Sequence, residues 1–236
     1  MIVEHILSGI TKEEESRERT SPLRMSSSGK CGRAIAYQLH GYKAADLSSR
    51  ANMVFRLGHT IESEVKALIE KYCSHLKITY PKDTLTIQID GKTIVGHIDG
   101  LIEDHTVLEV KSINGMRFKM LDREGIPADY KAQACSYMKA LNVTKTLFVF
   151  YCKDTSHLKE MYYDFDPVLW EQVHTRFFRV IHSTKDDLPE REYGPVNGKL
   201  VWNCGYCSYV SHCWPQAKLV FDKNNKPQYL IGEKNV

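Results

Sequence analysis

No stretch of this chain approaches 18 consecutive apolar residues, so no membrane-spanning helix is expected. A secretory signal is not expected either. The first ten residues, MIVEHILSGI, place an acid inside a short apolar stretch and carry no basic lead-in. A cytoplasmic address is the expectation. There is no internal repeat, no low-complexity linker and no dominant charge. A net charge of +3 permits a local nucleic-acid patch without demanding one. An even cysteine count is also lacking. Seven thiols in a chain without an export signal argue against a disulfide framework.

What remains is an ordinary globular composition, 42% hydrophobic and 26% charged over 236 residues, enough to bury a core without staples. Cys73, Cys135 and Cys152 lie singly in apolar segments, where inert buried thiols are the default. Cys204, Cys207 and Cys213 instead form C-x2-C-x5-C, a spacing that points to a metal centre. Three thiolates do not complete a tetrahedral set, so a fourth ligand must come from elsewhere.

The periodicity predicts an α/β fold with a mixed central sheet. The charged stretch from Thr11 to Arg24 reads as an exposed helix end or a mobile segment. Ser26–Lys30 supplies caps for a short helix closing at Gly41, with Cys31 in the first turn, where the helix dipole favours a thiolate. Asn52–Leu76 reads as an amphipathic helix, apolar at Val54, Leu57, Ile61, Val65, Leu68 and Ile69. A strand at Leu85–Ile89 and a hairpin within Ile94–Ser112 follow, then a basic stretch from Ile113 to Arg123. Pro127 opens a helix to about Leu141. Thr146–Tyr151 is a buried strand, Met161–Phe165 another, and Pro167–His182 a helix packed through Trp170, Val173, Phe177, Val180 and Ile181. The tail reads as a hairpin turning at Asn224–Asn225. The expected organisation is an N-terminal segment over 1–29, a core over 30–200, and a cysteine module with tail hairpin over 201–236.

The stretch with the most chemistry is Ile94–Ser112. A turn at Glu103-Asp104-His105 centred on Asp104 sets Asp99 opposite Glu109, with Cβ atoms roughly 5 Å apart on one face. Glu109 and Lys111 share that face by strand alternation, and Leu108 and Val110 point the other way into a core. Carboxylates held that close raise each other's pKa, and a hard divalent cation relieves the repulsion. An isolated E-x-K, however, is most often a solvated strand face.

Four motifs in order shift that balance: G-H-x-x-E (Gly58–Glu62), G-x-x-D (Gly96–Asp99), E-V-K (Glu109–Lys111) and Q-x-x-x-Y (Gln133–Tyr137). The set resembles the PD-(D/E)XK nuclease superfamily in its RecB-like branch. With an early cysteine and a late C-x2-C-x5-C, it resembles the iron–sulfur exonucleases of the CRISPR-associated RecB-like type and the nuclease domain of AddB. The match runs from Cys31 to Cys213.

The resemblance implies a restriction-endonuclease-like core and a metal-dependent DNA exonuclease acting on single-stranded or frayed ends, in recombination, repair, phage replication or CRISPR spacer processing. Asp99, Glu109 and the Val110 carbonyl would ligate magnesium or manganese, with His59 a further ligand. Lys111 would orient or deprotonate water and stabilise charge on phosphate. Gln133 and Tyr137 would position the phosphate or Lys111, and Glu62 would support the metal or the helix. Cys31, Cys204, Cys207 and Cys213 would hold a 4Fe–4S cluster joining N- and C-terminal segments. The partner is DNA, with a helicase, a recombinase or a CRISPR adaptation protein as further company; no helicase motif lies in this chain, so unwinding would come from outside.

Alternatives stand beside these roles. His97 competes with His59 as the metal's histidine, Glu62 reads equally as a surface partner of Lys66, and Gln133 and Tyr137 as helix packing. Arg117, Lys119 and Arg123 are either a phosphate-tracking patch or a solvated face. Trp202, Tyr206, Tyr209 and Trp214 either stack bases or shield the cysteine site. Spacing does not separate the cluster from zinc, for which His212 is a substitute ligand. The rival functions are a catalytically silent nuclease-fold protein that binds DNA or a partner, and a restriction endonuclease on the same fold.

Overall fold

The computed structural model describes residues 1–15, 21–46, 48–223 and 227–231. In chain order come α1 (Ile2–Glu15), a 3-10 turn (Met25–Ser27), α2 (Gly32–Leu39) and α3 (Ser49–Tyr72). Five strands follow: β1 (Ile78–Thr79), β2 (Leu85–Ile89), β3 (Lys92–Gly96), β4 (Gly100–Ile102) and β5 (Thr106–Ile113). Next are α4 (Gly115–Glu124), α5 (Ala128–Leu141), β6 (Lys145–Cys152), β7 (Leu158–Asp164) and α6 (Pro167–Ile181). The C-terminal elements are β8 (Pro195–Val196), β9 (Lys199–Leu200), α7 (Trp202–Gly205), α8 (Val210–Cys213), β10 (Ala217–Phe221) and β11 (Pro227–Ile231). They group into two compact units, Met1–Gly29 with Ser48–Phe177, and Lys30–Leu47 with Phe178–Val236. These lines differ from a split at 1–29, 30–200 and 201–236: the Cys31 segment groups with the C-terminal residues.

The first unit is built on a mixed sheet in the order β1-β4-β5-β6-β7, with β5 and β6 parallel and the other neighbours antiparallel. Parallel strands need a crossover, and α4 with α5 supplies it. Leu108, Val110, Leu147 and Val149 point to one face and pack with Val65 of α3. Phe148 and Phe150 alternate to the other face, stacked at 5.6 Å, where Tyr130 of α5 approaches Phe150. Helix α4 starts at the Asn114 cap, whose Oδ1 accepts the Arg117 N–H at 2.9 Å.

Two expectations need correction here. Ile94–Ser112 is not one hairpin: Ile94–Gly96 belongs to β3, which pairs with β2 in a separate two-stranded sheet. Pairing is interrupted at His97–Asp99, just past Gly96, where a Cβ would meet Met25 Sδ at 2.6 Å and Tyr137 Cε1 at 2.8 Å. The α3 face also divides. Val65 is buried and Ile61 and Ile69 pack on the core, but Val54, Leu57 and Leu68 are exposed. The first half of α3 runs beside α1 instead, with Thr11 Oγ1 3.3 Å from Ser49 Oγ and Arg56 paired to Glu13 at 3.1 Å.

The second unit carries α2, the end of α6 and a four-stranded antiparallel sheet ordered β10-β11-β9-β8. Leu200, Val210 and Trp214 form its small core, with Cys204, Cys213, Ala217, Tyr229 and Ile231 packed against it. Gly41, at φ +72°, follows α2 in the left-handed region that suits a helix C-terminus. The tail hairpin forms through β10 and β11; its turn at Asn224–Asn225 lies outside the described residues. No helix among the described residues is long and apolar enough to cross a membrane.

Candidate functional site

The β4–β5 turn sets the register of the acidic site. Glu103 and Asp104 both take positive φ, the His105 amide closes on the Ile102 carbonyl at 3.1 Å, and Gly100 pairs with Leu108. Extending that register by one residue sets Asp99, just ahead of β4, across from Glu109. Asp99 Oδ2 accepts the Val110 N–H at 2.7 Å, which anchors the carboxylate to the neighbouring strand. Glu109 is buried, its Oε1 bonded to Lys111 Nζ. Lys111 does not turn into hydrocarbon: its ammonium lies 5.2 Å from the centre of the Tyr130 ring.

Helix α3 brings up the second half. Lys66 Nζ stands 2.7 Å from Glu62 Oε1 and 3.3 Å from Asp99 Oδ1, so one ammonium bridges the helix and the hairpin. Glu62 and Lys66 are therefore the i, i+4 pair their spacing indicates, but a half-buried one turned toward the site. His59 is at the rim, its side chain 66% exposed and its Nδ1 3.9 Å from Glu62 Oε2. His97 is exposed and bonded to Thr84 at 3.0 Å.

Burial governs the electrostatics. It pushes Asp99 up to about 8, helped by the negative charges of Glu109 and Glu62 and opposed by Lys66. Burial also raises Glu109, against the pull of Lys111. Burial alone would lower Lys111, but the charge and hydrogen bond of Glu109 outweigh it and the ammonium is held above its ordinary value. For Glu62, burial pushes up but hydrogen bonds with Lys66 and Asp99 prevail, and its carboxyl falls below the usual range.

From α5, Gln133 Nε2 donates to Tyr137 Oη at 2.7 Å. Tyr137 is buried beneath the acids, and burial followed by the Glu109 charge holds its phenol well above the ordinary value. Arg117 hydrogen-bonds Tyr130 and so sits near Lys111, whereas Lys119 and Arg123 stand one turn apart on the exposed surface of α4. Sequence reasoning missed Tyr130 beneath Lys111 and Lys66 beside Asp99. The i, i+4 signal was present for Lys66; nothing in the sequence marked Tyr130.

Among the described residues no group of three or more His, Cys, Asp or Glu side chains stands ready-made around a metal position. Lys66 lies between Glu62 and Asp99, and Lys111 pairs with Glu109. The donors still fit a hard divalent cation. Glu109 Oε2 is buried without a hydrogen-bond partner, and Asp99 and Glu109 offer oxygens whose mutual repulsion a cation would relieve.

In the second unit, Cys31 at the start of α2 and Cys204, Cys207 and Cys213 from the α7–α8 segment line one pocket, together with Tyr37 and Trp214. All four thiols are free and half-buried. Burial, with the charges of Cys213 and Cys31, pushes Cys204 up to about 11, and Cys207 rises for related reasons. The four sulfurs line one pocket without being gathered as a ready-made metal-holding group. His212 is not among the residues that line the pocket; its Nε2 bonds the Lys43 carbonyl at 2.8 Å and its ring packs against Tyr37 and Tyr42. The aromatics sort by exposure. Trp214 is buried under Arg191, 4.2 Å from its ring centre, and Tyr209 stacks on Tyr37, while Trp202 and Tyr206 face outward.

No family model matches the chain, and no curated protein matches it. The chain is similar to the crystal structure of SSO0001, with a TM-score of 0.61 and 17% identity over 91% of this chain and 96% of that one. At that identity the likeness is one of fold. Looser likenesses join it to an alkaline exonuclease from Laribacter hongkongensis in complex with dAMP (TM-score 0.46, 19% identity, 66% of this chain and 89% of that one) and to a phage related exonuclease from Haemophilus somnus (TM-score 0.45, 13%, 65% and 89%).

Proposed function

We propose that the chain is a divalent-metal-dependent deoxyribonuclease of the PD-(D/E)XK type, an exonuclease on single-stranded or frayed DNA ends. The observation that carries this reading is the buried Glu109 carboxylate, paired with Lys111 on one side, unpartnered at Oε2 on the other, and set across the hairpin from Asp99. A packed structural pair would satisfy both oxygens.

Asp99 and Glu109, with the Val110 carbonyl, are the ligands for magnesium or manganese. A bound ion supplies Lewis-acid assistance to the phosphoryl oxygens and acidifies water. Lys111, its charge secured by Glu109 and its position by the Tyr130 ring, holds the attacking water in line and balances charge growing on phosphate. Gln133 and Tyr137 brace the floor of the site, and Glu62 reaches Asp99 from α3. His59 at the rim is a further ligand on this reading, contributed by the same helix. Arg117, beside Tyr130, and Lys119 and Arg123 farther along α4 track the DNA backbone as it leaves the site.

The four cysteines would hold a 4Fe–4S cluster that ties α2 to the α7–α8 segment in a structural role. The presence of Asp99, Glu109 and Lys111 together favours an active enzyme over a silent nuclease-fold binder, which would usually have lost one of them.

End-labelled single- and double-stranded DNA, digested with manganese or with EDTA, tests the proposal. Metal-dependent release of nucleotides from ends, lost in Lys111→Ala, is expected. Cutting unchanged by that substitution would refute it.

A further inference from the structure

Among the described residues, Lys66 is an ammonium in the first unit's acidic site that the E-V-K motif does not account for. Its side chain is only 23% exposed, and it contacts carboxylates from two different elements, Glu62 on α3 at 2.7 Å and Asp99 ahead of β4 at 3.3 Å. A solvated helix pair would involve Glu62 alone. The bridge to Asp99 makes Lys66 part of the charge that any incoming cation meets.

Counting charges gives the consequence. Glu62, Asp99 and Glu109 supply three negative charges when ionised, and Lys66 and Lys111 supply two positive ones. The five side chains together then carry a single negative charge. A divalent cation entering that cluster overshoots neutrality by one, and it must share Asp99 with an ammonium already in contact. Without Lys66 the cluster would carry two negative charges, the match for a divalent ion. At separations of a few ångströms inside protein, one charge is a large term even with strong screening.

We infer that Lys66 is a positioning residue that competes with the divalent cation: it holds Glu62 and Asp99 in register and keeps metal affinity low enough for the ion to exchange. The inference rests on the proposed metal site, with Asp99 and Glu109 as ligands, and adds to it a residue that opposes binding. Its sign is unusual. A residue that merely supports the structure weakens metal binding when lost, whereas removal of Lys66 tightens it.

The test is isothermal titration of the full chain with magnesium at about pH 8.5, above the value of about 8 to which burial raises Asp99. Lys66→Met is expected to lower the magnesium dissociation constant at least tenfold, and Lys66→Arg, which keeps the charge, to leave it within about twofold of the parent. Lys66→Gln carries the same expectation should the methionine variant fail to fold. Glu109→Gln is titrated in parallel and is expected to abolish binding. If Glu109→Gln abolishes binding but the neutral Lys66 variants bind no tighter than the parent, the competitor role is overturned and the metal site stands. If Glu109→Gln binds magnesium like the parent, the metal site itself is wrong and the role of Lys66 falls with it.

Discussion

The Val110 amide donates a 2.7 Å hydrogen bond to Asp99 Oδ2 across the β4–β5 hairpin. This bond explains how an aspartate outside any strand holds a fixed place next to Glu109. It also commits one Asp99 oxygen, leaving Oδ1 to face Lys66. The site is thus a hairpin whose two acids are fixed by backbone geometry and whose two lysines come from different elements.

Loss of Lys111 should hit chemistry more than folding. Lys111→Ala is expected to lower nuclease turnover by about 100-fold or more, the usual scale for a group that orients or deprotonates water. The fold should survive, because Glu109 is already raised by burial and takes up a proton once its partner is gone. Single-turnover digestion of end-labelled DNA, with circular dichroism beside it, checks both halves.

Asp99 gives stability a pH dependence. Its pKa is raised from 3.8 to about 8, so its contribution to stability is complete below the ordinary value and is lost as pH rises through about 8. The melting temperature of metal-free protein should therefore fall between roughly pH 5 and pH 9. Asp99→Asn should flatten that slope, and magnesium should offset the alkaline loss by binding the ionised carboxylates. Thermal melts across the range, with and without magnesium, read this directly.

Gly96 is required by crowding. Gly96→Ala would set a methyl 2.6 Å from Met25 Sδ and 2.8 Å from Tyr137 Cε1. We expect a loss of about 1–3 kcal/mol in chemical denaturation, the usual cost of an overpacked core. Because the displaced ring is Tyr137, activity should fall as well.

The cysteine pocket has its own assay. Anaerobically purified protein is expected to carry about four irons and four acid-labile sulfides per chain. Cys207→Ala should lose both and lower the melting temperature. Zinc without sulfide would replace the cluster with a structural zinc site.

How much was legible beforehand depends on the kind of signal. The β6 strand is a continuous apolar run and α5 opens behind Pro127, so local pattern was enough for both. The opposition of Asp99 and Glu109 followed from one assumption, a turn centred on Asp104, since pairing about a tight turn is symmetric. The break at His97–Asp99 was not legible. Nor was the closeness of Met25 and Tyr137 to Gly96, because both lie far from it in the chain.

Taken alone, the sequence determined the α3, α5, α6 and β6 elements, the four motifs, and which of the seven cysteines lie in a metal-like spacing, because each of these is written in near-neighbour spacing. Tertiary structure alone decided which charges meet. Lys66 reaches Asp99, Lys111 rests over Tyr130, and Cys31 joins Cys204, Cys207 and Cys213 at one pocket. Those encounters join residues tens to more than a hundred positions apart, and burial sets their strength. Neither the distances nor the desolvation exists until the chain has folded.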